Sequence, residues 1–181
     1  MLLMFSKFLK ASLLLLFIYI AAGCGSGDDQ LKNVYNNYRF DTAVIKKLPL
    51  YDSLARTISA NLPLFHKYID TTEAYKAFRY MPAAYEAGVY RQLPPELDSG
   101  ISPIYTALGE HFIFGFDVFK DSTIKIYIRM YPVEKTMVDI AENLGYYPAG
   151  KKMKQREFPV KDTVLNTHWQ YWVRLDQQGL F

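Results

Sequence analysis

Residues 112–131 read FIFGFDVFKDSTIKIYIRMY. On both sides of a short polar segment, residues 120–122, apolar side chains alternate with other side chains. A period of two is typical of β-strands, whose successive side chains point to opposite faces of a sheet. The stretch therefore predicts a β-hairpin with a turn at residues 120–122.

The register of this hairpin follows from the side chains that would face one another. Pairing Phe116 with Ile126 places the apolar residues of both strands on one face and sets Asp117 opposite Lys125. A slip by one residue would turn one strand over and set Asp117 opposite Ile126. We therefore predict the first register, in which opposite charges pair across the strands.

Three further elements are predicted after the hairpin. Apolar residues at helical spacing predict a helix over 133–144, with Gly145 as its C-terminal stop. Alternation returns in two segments, 157–165 and 168–175, which are predicted to pair as strands. Pro159 favours an edge position for the first of them, because proline cannot donate a ladder hydrogen bond.

The residues before the hairpin show helical periodicity. Helices are predicted over three segments: 31–47, 52–62 and 64–69. Asp70 and Glu73 resemble a capping box, which predicts another helix that ends before Pro82. The segment 91–103 is predicted as a loop because it contains three prolines and a glycine. Together the patterns predict an α+β fold in which N-terminal helices pack on a small antiparallel sheet formed by the C-terminal half.

Composition narrows the class of protein. The chain has 181 residues, 50% of them apolar, which suits one globular domain and excludes a largely disordered protein. A single cysteine excludes both a disulfide scaffold and a cysteine-built zinc site. The sequence contains no nucleophile elbow, phosphate-binding glycine loop, zinc-protease motif or dinucleotide fingerprint. We therefore expect no cofactor and favour a protein that is not an enzyme.

The first 24 residues have the layout of an export signal. Lys7 and Lys10 precede an uncharged apolar stretch, which is shorter than the roughly 20 residues that a spanning helix needs. The stretch ends in IAAGC, residues 20–24, which resembles the lipobox of bacterial lipoproteins, with Ala21 where a larger aliphatic residue is commoner. The resemblance implies cleavage after residue 23 and attachment of diacylglycerol and a further acyl chain, such as palmitate, to Cys24. The alternatives are an ordinary signal peptide or an uncleaved anchor.

The resemblance also divides the chain and predicts its location. Residues 1–23 would be the signal peptide, 24–30 a flexible tether and 31–181 one globular domain. Removal of residues 1–23, which contain two lysines and no acid, lowers the formal net charge from +3 to +1, so nucleic acid is not an expected partner. Gly25 beside the cysteine favours the outer membrane over retention in the inner one. Either leaflet is compatible with the sequence, and membrane lipid would be a partner through acylated Cys24.

An aromatic group in the C-terminal half is the strongest candidate for a binding site. Five residues on the more polar sides of the predicted strands form a predicted platform for a sugar or an envelope protein: Tyr127, Arg129, Tyr131, Trp172 and Arg174. The alternative is that other elements cover these rings and make them a second layer of core. The basic segment 151–156 would contact anionic lipid or glycan, or be a solvated loop.

Catalytic groups are harder to find. His111 and His168 would meet if their strands are neighbours, with Glu110 or Asp117 completing a metal or acid–base cluster. A glycosidase site needs only two suitably spaced carboxylates, for which Glu86, Glu96, Glu110 and Asp117 are candidates. The sequence therefore favours a lipid-anchored envelope lipoprotein with a non-catalytic binding or assembly-support domain. The alternatives are an envelope hydrolase acting on glycan or peptidoglycan, or an inhibitor or immunity lipoprotein.

Overall fold

The computed structural model describes residues 27–69, 76–82, 93–148 and 156–177. Five helices occur in these ranges: α1 Gly27–Asn37, α2 Thr42–Lys46, α3 Leu48–Ala60, α4 Leu62–Lys67 and α5 Pro95–Leu108. The strands in the same ranges are β1 Ala77–Tyr80, β2 Gly115–Phe119, β3 Ile124–Pro132, β4 Val138–Tyr146, β5 Val160–Val164 and β6 Trp169–Gln177. The predicted α+β fold is confirmed, with helices in the N-terminal half and a sheet in the C-terminal half.

The six strands form one antiparallel sheet in the order β1-β2-β3-β4-β6-β5. The predicted hairpin register is confirmed, because Phe116 lies opposite Ile126 and Asp117 opposite Lys125. The predicted pairing of the last two strands and the edge position of β5 are also confirmed.

The helices cover one face of the sheet, which we call the helical face. Its side chains are almost completely buried and join the apolar stripes of the helices in one core, which includes Tyr51, Ile58, Phe116, Ile126, Leu144 and Tyr171. The opposite face presents polar side chains among aromatic ones, and we call it the polar face: Arg79, Asp117, Lys125, Tyr127, Asn143, Gln170 and Trp172. Only one face of this sheet is therefore packed as an apolar core.

Helices are confirmed in the three segments predicted as helical, 31–47, 52–62 and 64–69, with shifted boundaries. The first is two helices, and Asp41 caps the second by accepting a hydrogen bond from the backbone N–H of Ala43. Pro49 and Pro63 lie in the first turns of α3 and α4, where no intrahelical donor is lost. Pro63 therefore begins a helix as well as following one.

Residues 27–30, which we assigned to the flexible tether, instead form the first turn of α1. Asp28 and Asp29 suit this position because the N-terminal end of a helix attracts negative charge. The side chain of Gln30 accepts a hydrogen bond from the backbone N–H of Met137, which ties the turn to the sheet. The remainder of the predicted tether lies outside the described residues.

The prediction of a helix from Asp70 to the residue before Pro82 is wrong for its last third. Residues 70–75 lie outside the described ranges, and Ala77–Tyr80 form strand β1. Phe78 is completely buried opposite Val118 of β2, and Tyr80 lies opposite Phe116. Pairing with an apolar strand outweighs the local helical preference of this segment, which is a tertiary effect.

The predicted loop over 91–103 is also wrong, because Pro95–Leu108 form helix α5. Pro95 occupies the first turn, and Pro103 lies within the helix. Leu97, Ile101 and Leu108 are buried in one stripe against the core. The prolines favoured the prediction of a loop, although the same segment carries an apolar stripe, which packs beside α3.

The predicted helix over 133–144 is wrong as well, because Val138–Tyr146 form the central strand β4. Ile140 and Leu144 are four residues apart, a spacing that places two side chains on one face in a helix and in a strand alike. Hydrogen-bonding partners on both sides, β3 and β6, decide in favour of the strand. Gly145, predicted as a helix stop, is instead a buried position within β4.

Candidate functional site

A β-bulge divides the five residues of the predicted platform between the two faces of the sheet. Tyr127 lies opposite Asn143, but Arg129 lies opposite Glu142, so Ile128 is an extra residue in β3. An extra residue reverses the alternation, because side chains beyond it point to the other face. Arg129 and Tyr131 therefore turn to the helical face, while Tyr127 stays on the polar face.

On the helical face, Arg129 and Tyr131 belong to a buried cluster around Glu142, which is 1% exposed. The Glu142 carboxylate accepts hydrogen bonds from the hydroxyls of Tyr38 at 3.0 Å, Tyr131 at 2.8 Å and also Tyr171. The guanidinium of Arg129 donates to Glu142 at 3.1 Å and to Asp41 at 2.7 Å. The sheet and the α2 N-terminus are thus joined by one charged network.

The hydrogen bonds of this cluster hold its charged groups, Glu142, Arg129 and Asp41, in fixed positions. Burial raises the pKa of Tyr171, and the nearby Glu142 charge raises it further, so the tyrosine keeps its donor proton at physiological pH. Both oxygens of the Glu142 carboxylate accept hydrogen bonds from protein side chains. We therefore interpret this part of the predicted platform as structural.

On the polar face, Asp117 is 1% exposed, and both of its carboxylate oxygens accept hydrogen bonds. Arg79 of β1 donates to both of its carboxylate oxygens, at 2.8 and 3.0 Å, and the Tyr127 hydroxyl donates as well. This bidentate pair raises the pKa of Arg79, chiefly through the hydrogen bonds to the Asp117 carboxylate. Asp117 therefore has little capacity left for the neighbouring Lys125.

Lys125 lies opposite Asp117 in the sheet but forms no ion pair with any described residue. Its ammonium group lies over the Tyr127 ring, 4.1 Å from the centroid. The pKa of Lys125 is lowered to about 8, chiefly by burial; the Asp117 charge partly offsets this effect, and the positive charges of Arg174, Arg79 and Arg156 add to it. This side chain is a half-buried cation among other cations.

Trp172 is the second aromatic residue of the polar face, and only 5% of it is exposed. Its indole lies over Gly145, where an added Cβ would come within 2.6 Å of the ring. The Arg156 guanidinium covers the indole at 4.1 Å from a ring centroid. Among described residues, the Arg156 side chain has a Tyr147 hydroxyl at 3.5 Å but no carboxylate.

These side chains line a cavity of about 770 Å³ on the polar face. A cavity of this volume is within the usual range for small-molecule sites. Its wall includes Lys125, Arg156 and Trp172, and also Phe114, Met130 and Ala141. Along the strands, Met130 and Ala141 lie in one row with Arg174, and Lys125 lies nearer the opposite end of the sheet. Phe114 and Met130 are 41% and 74% exposed, which is unusual for large apolar side chains.

The structure thus brings three of the five predicted platform residues to one cavity wall by their side chains: Tyr127, Trp172 and Arg174. Arg174 is largely exposed and pairs with Asp176 at 2.8 Å. Arg129 borders the cavity with its charge turned to the other face, and Tyr131 is not among the lining residues. Trp172 is covered by Arg156, so it does not offer the open ring that the prediction assumed.

The cavity brings together two of the predicted catalytic carboxylates, but neither of the predicted histidines joins them. Glu110 and Asp117 line the cavity, but His111 is exposed and is not among the lining residues, and His168 stacks on Tyr146. No three or more His, Cys, Asp or Glu side chains in the described parts of the chain are grouped to hold a metal ion. Glu96 is exposed in the first turn of α5. Glu86, Cys24 and most of the basic segment 151–156 lie outside the described residues.

Sequence reasoning missed the most informative part of the site. Lys125 was used only to set the hairpin register, and Gly145 was predicted as a helix stop. The glycine within an alternating segment was the available signal, because a strand glycine often marks a close approach by another group. Phe114 and Met130 were predicted only as members of alternating strands.

Comparison with known proteins does not identify the chain. In the ranges that the structure describes, each helix is too short or too polar to span a bilayer. Neither a protein family, nor a curated protein, nor a solved structure matches this chain.

Proposed function

We propose that this protein is a lipid-anchored lipoprotein of a bacterial envelope, most simply of the outer membrane, and that its domain binds a ligand without catalysis. The binding site in this proposal is the cavity on the polar face of the sheet. The anchor rests on the order of charged, apolar and lipobox segments that ends at Cys24. Two or more acyl chains on one residue would hold the protein firmly at a membrane.

One observation supports the binding function above the others. The cavity concentrates aromatic and cationic side chains, and one of its cations, Lys125, has no counter-ion among the described residues. A protein that needed only a stable sheet would place a neutral side chain at this half-buried position, because desolvating a charge is costly. An unpaired cation beside aromatic rings is typical of a recognition site.

The carboxylates do not support hydrolysis to the same extent. Asp117 is held by Arg79 and Tyr127, which leaves it poorly placed to accept a proton from a substrate. General acid–base catalysis requires a group that can gain and lose a proton near the reacting bond. The proposal therefore assigns binding, not hydrolysis, to the cavity.

Metabolic labelling tests the anchor. Cells that express the chain are fed an alkyne-tagged palmitate, and the Cys24→Ser variant is compared with a Ser26→Ala control. We expect label and membrane fractionation in wild type and control and neither in Cys24→Ser. A variant that is labelled and fractionates like wild type would overturn the lipoprotein proposal.

Tryptophan fluorescence tests the binding site. The chain has two tryptophans, of which Trp169 is in the core and Trp172 is in the cavity wall. Lipid and glycan extracts of the envelope are added to the wild type and to Trp172→Phe. A saturable change in emission that Trp172→Phe abolishes is expected, and the absence of any response to either extract would contradict the proposed site.

A further inference from the structure

We infer that the cavity binds an anionic, single-chain amphiphile taken from the membrane to which the protein is anchored. Its acidic headgroup would lie between Lys125 and Arg156, and its apolar chain would extend towards Phe114 and Met130. This inference rests on the proposed function and adds the chemical class and the source of the ligand.

The headgroup assignment follows from the two cations at one end of the cavity. Lys125 lies over Tyr127 and Arg156 over Trp172, each at 4.1 Å from the ring centroid. Neither side chain pairs with a carboxylate of the described residues, and both also line a smaller adjoining cavity of about 430 Å³. Stacking on aromatic rings holds each positive group in the wall of the same two cavities, where a carboxylate or phosphate would find charged donors.

The acidic groups near this end are outnumbered by cations, because the adjoining cavity is lined by Lys76, Lys120, Lys125 and Arg156 and by one acid, Asp121. Asp117 is engaged by Arg79 and Tyr127, and the side chain of Asp162 accepts hydrogen bonds from Gln170 and from the backbone N–H of Arg156. The local excess of positive charge therefore favours an anion over a neutral or cationic ligand.

The apolar chain is assigned from the other end of the same cavity. Along β3, Lys125 and Met130 are separated by about 16 Å at roughly 3.3 Å per residue. Met130 is 74% exposed, Phe114 is 41% exposed, and Ala141 lies beside Met130 across the strands. A charged end and an apolar end at this distance match an elongated amphiphile better than a sugar, which needs polar partners along its whole length.

The source of the ligand is assigned from the position of the anchor. Helix α1 begins at Gly27, beside the side chain of Gln177 at the end of β6, and Gln30 bonds Met137 at the start of β4. The apolar end of the cavity lies towards this same end of the sheet, because Met130 pairs with Ala141 and Ala141 with Arg174. Two residues separate Cys24 from Gly27, so the three Cα-to-Cα steps between them span at most about 11 Å.

The anchor would therefore hold the apolar end of the cavity close to the bilayer surface. Met137 is also 59% exposed at this end, which adds apolar surface towards the lipid. A single-chain amphiphile would leave the bilayer with its chain facing the apolar wall and its headgroup facing the cations.

Photo-crosslinking tests the inference on the full-length, acylated protein in phosphatidylcholine vesicles. The vesicles contain a diazirine-tagged fatty acid, or the fatty alcohol or fatty amine of the same length. Crosslinked sites are mapped by mass spectrometry. We expect the acid to label the peptides that contain Phe114 or Met130 about tenfold more than the alcohol, and the amine to label them least.

Variants assign the effect to the two cations. Lys125→Met/Arg156→Gln is expected to lower labelling by the acid about tenfold, while Lys125→Arg keeps the charge and retains most of it. Lys46→Met/Arg56→Gln removes one lysine and one arginine from exposed positions on the helices and is expected to label like wild type. A thermal melt of each variant checks that the fold is intact.

The outcomes separate this inference from the proposed function. Equal labelling of the cavity by acid and alcohol, unchanged in the double variant, would overturn the anionic class while leaving a ligand site on the polar face. Labelling by no probe, together with a Trp172 response to the glycan extract alone, would overturn the amphiphile. Labelling by no probe and no response to either extract would overturn both.

Discussion

Glu142 and Lys125 show that the two faces of the sheet surround a buried charge with different partners. Glu142 on the helical face has three tyrosine donors and Arg129, so its charge is compensated within the protein. Lys125 on the polar face has a tyrosine ring and like-charged neighbours. Breaking the first arrangement should harm stability, whereas removing the second charge should harm only binding.

Replacing Glu142 by alanine should cost about 3–5 kcal/mol of folding free energy, because it leaves three tyrosine hydroxyls without this acceptor and Arg129 with Asp41 as its one remaining carboxylate. Urea unfolding measures the change. Glu134→Ala, an exposed glutamate in the β3–β4 turn, is the control and should stay within about 0.5 kcal/mol of wild type. Similar losses for the two variants would argue against a buried network.

Lys125→Met should stabilise the fold near neutral pH. The pKa of Lys125 falls from 10.5 to about 8 in the folded state through burial and the charges of Arg174, Arg79 and Arg156, partly offset by Asp117. Between these values the unfolded chain binds more protons, so the stability of the wild type rises with pH across that window. The charged state therefore costs on the order of 3 kcal/mol at pH 7.

The measurement is the free energy of unfolding from pH 7 to 10.5. Wild type should gain stability over this range, and the gain should be absent in Lys125→Met. Lys46→Met, an exposed lysine in α2, should keep the wild-type profile. A wild-type stability that falls as pH rises from 8 to 10 would show that Lys125 is stabilised by an anion of the protein itself.

At the scale of elements, the β-bulge at Ile128 and the glycine at position 145 determine what the polar face presents. The bulge sends Arg129 and Tyr131 to the helical face. Gly145 leaves room for the Trp172 indole between Lys125 and Gln170, its neighbours across the strands. One extra residue and one missing Cβ therefore shape the cavity.

Gly145→Ala should displace the indole, because the new Cβ would lie 2.6 Å from Cζ3 of Trp172. We expect a loss of about 1–3 kcal/mol and a shift of tryptophan emission towards that of an exposed indole. Gly100→Ala is the matched control: its Cβ would meet Thr57 at 3.3 Å in the middle of α5, where alanine favours the helix. An unchanged emission spectrum in Gly145→Ala would contradict the close packing of the ring.

At the scale of the whole molecule, the short distance between Cys24 and Gly27 links location to function. Gly27, the first described residue after the proposed anchor, and the apolar end of the cavity lie at the same end of the sheet. The domain would then work at the bilayer surface, where the local concentration of a membrane amphiphile is high.

Lengthening the tether should weaken loading from the membrane without changing the fold. Insertion of about 30 glycine and serine residues after Gly25 should lower crosslinking by the bilayer-held fatty acid several-fold, since effective concentration falls with linker length. The thermal midpoint should remain that of wild type. Undiminished crosslinking would show that the ligand reaches the cavity through water.

The sequence predicted the hairpin and its register because alternation and charge pairing are local signals. It predicted helices α1 to α4 because helical periodicity is also a local signal. It failed at Ala77–Tyr80 and Val138–Tyr146, whose strands exist only because neighbouring strands offer backbone partners. It failed at Pro95–Leu108 because the prolines, at the first turn and inside the helix, gave a stronger local signal than the buried stripe.

By itself, the sequence determined helices α1 to α4 and the register of the central hairpin, and it predicts an N-terminal export signal that ends at Cys24. Only the tertiary structure decided which aromatic residues share a face, because the bulge at Ile128 is a property of paired strands and reverses every later side chain. Only the fold also brought Lys125 and Arg156, 31 residues apart in the chain, to one cavity. Periodicity records which side chains avoid water along one element, whereas a site depends on the contacts between elements.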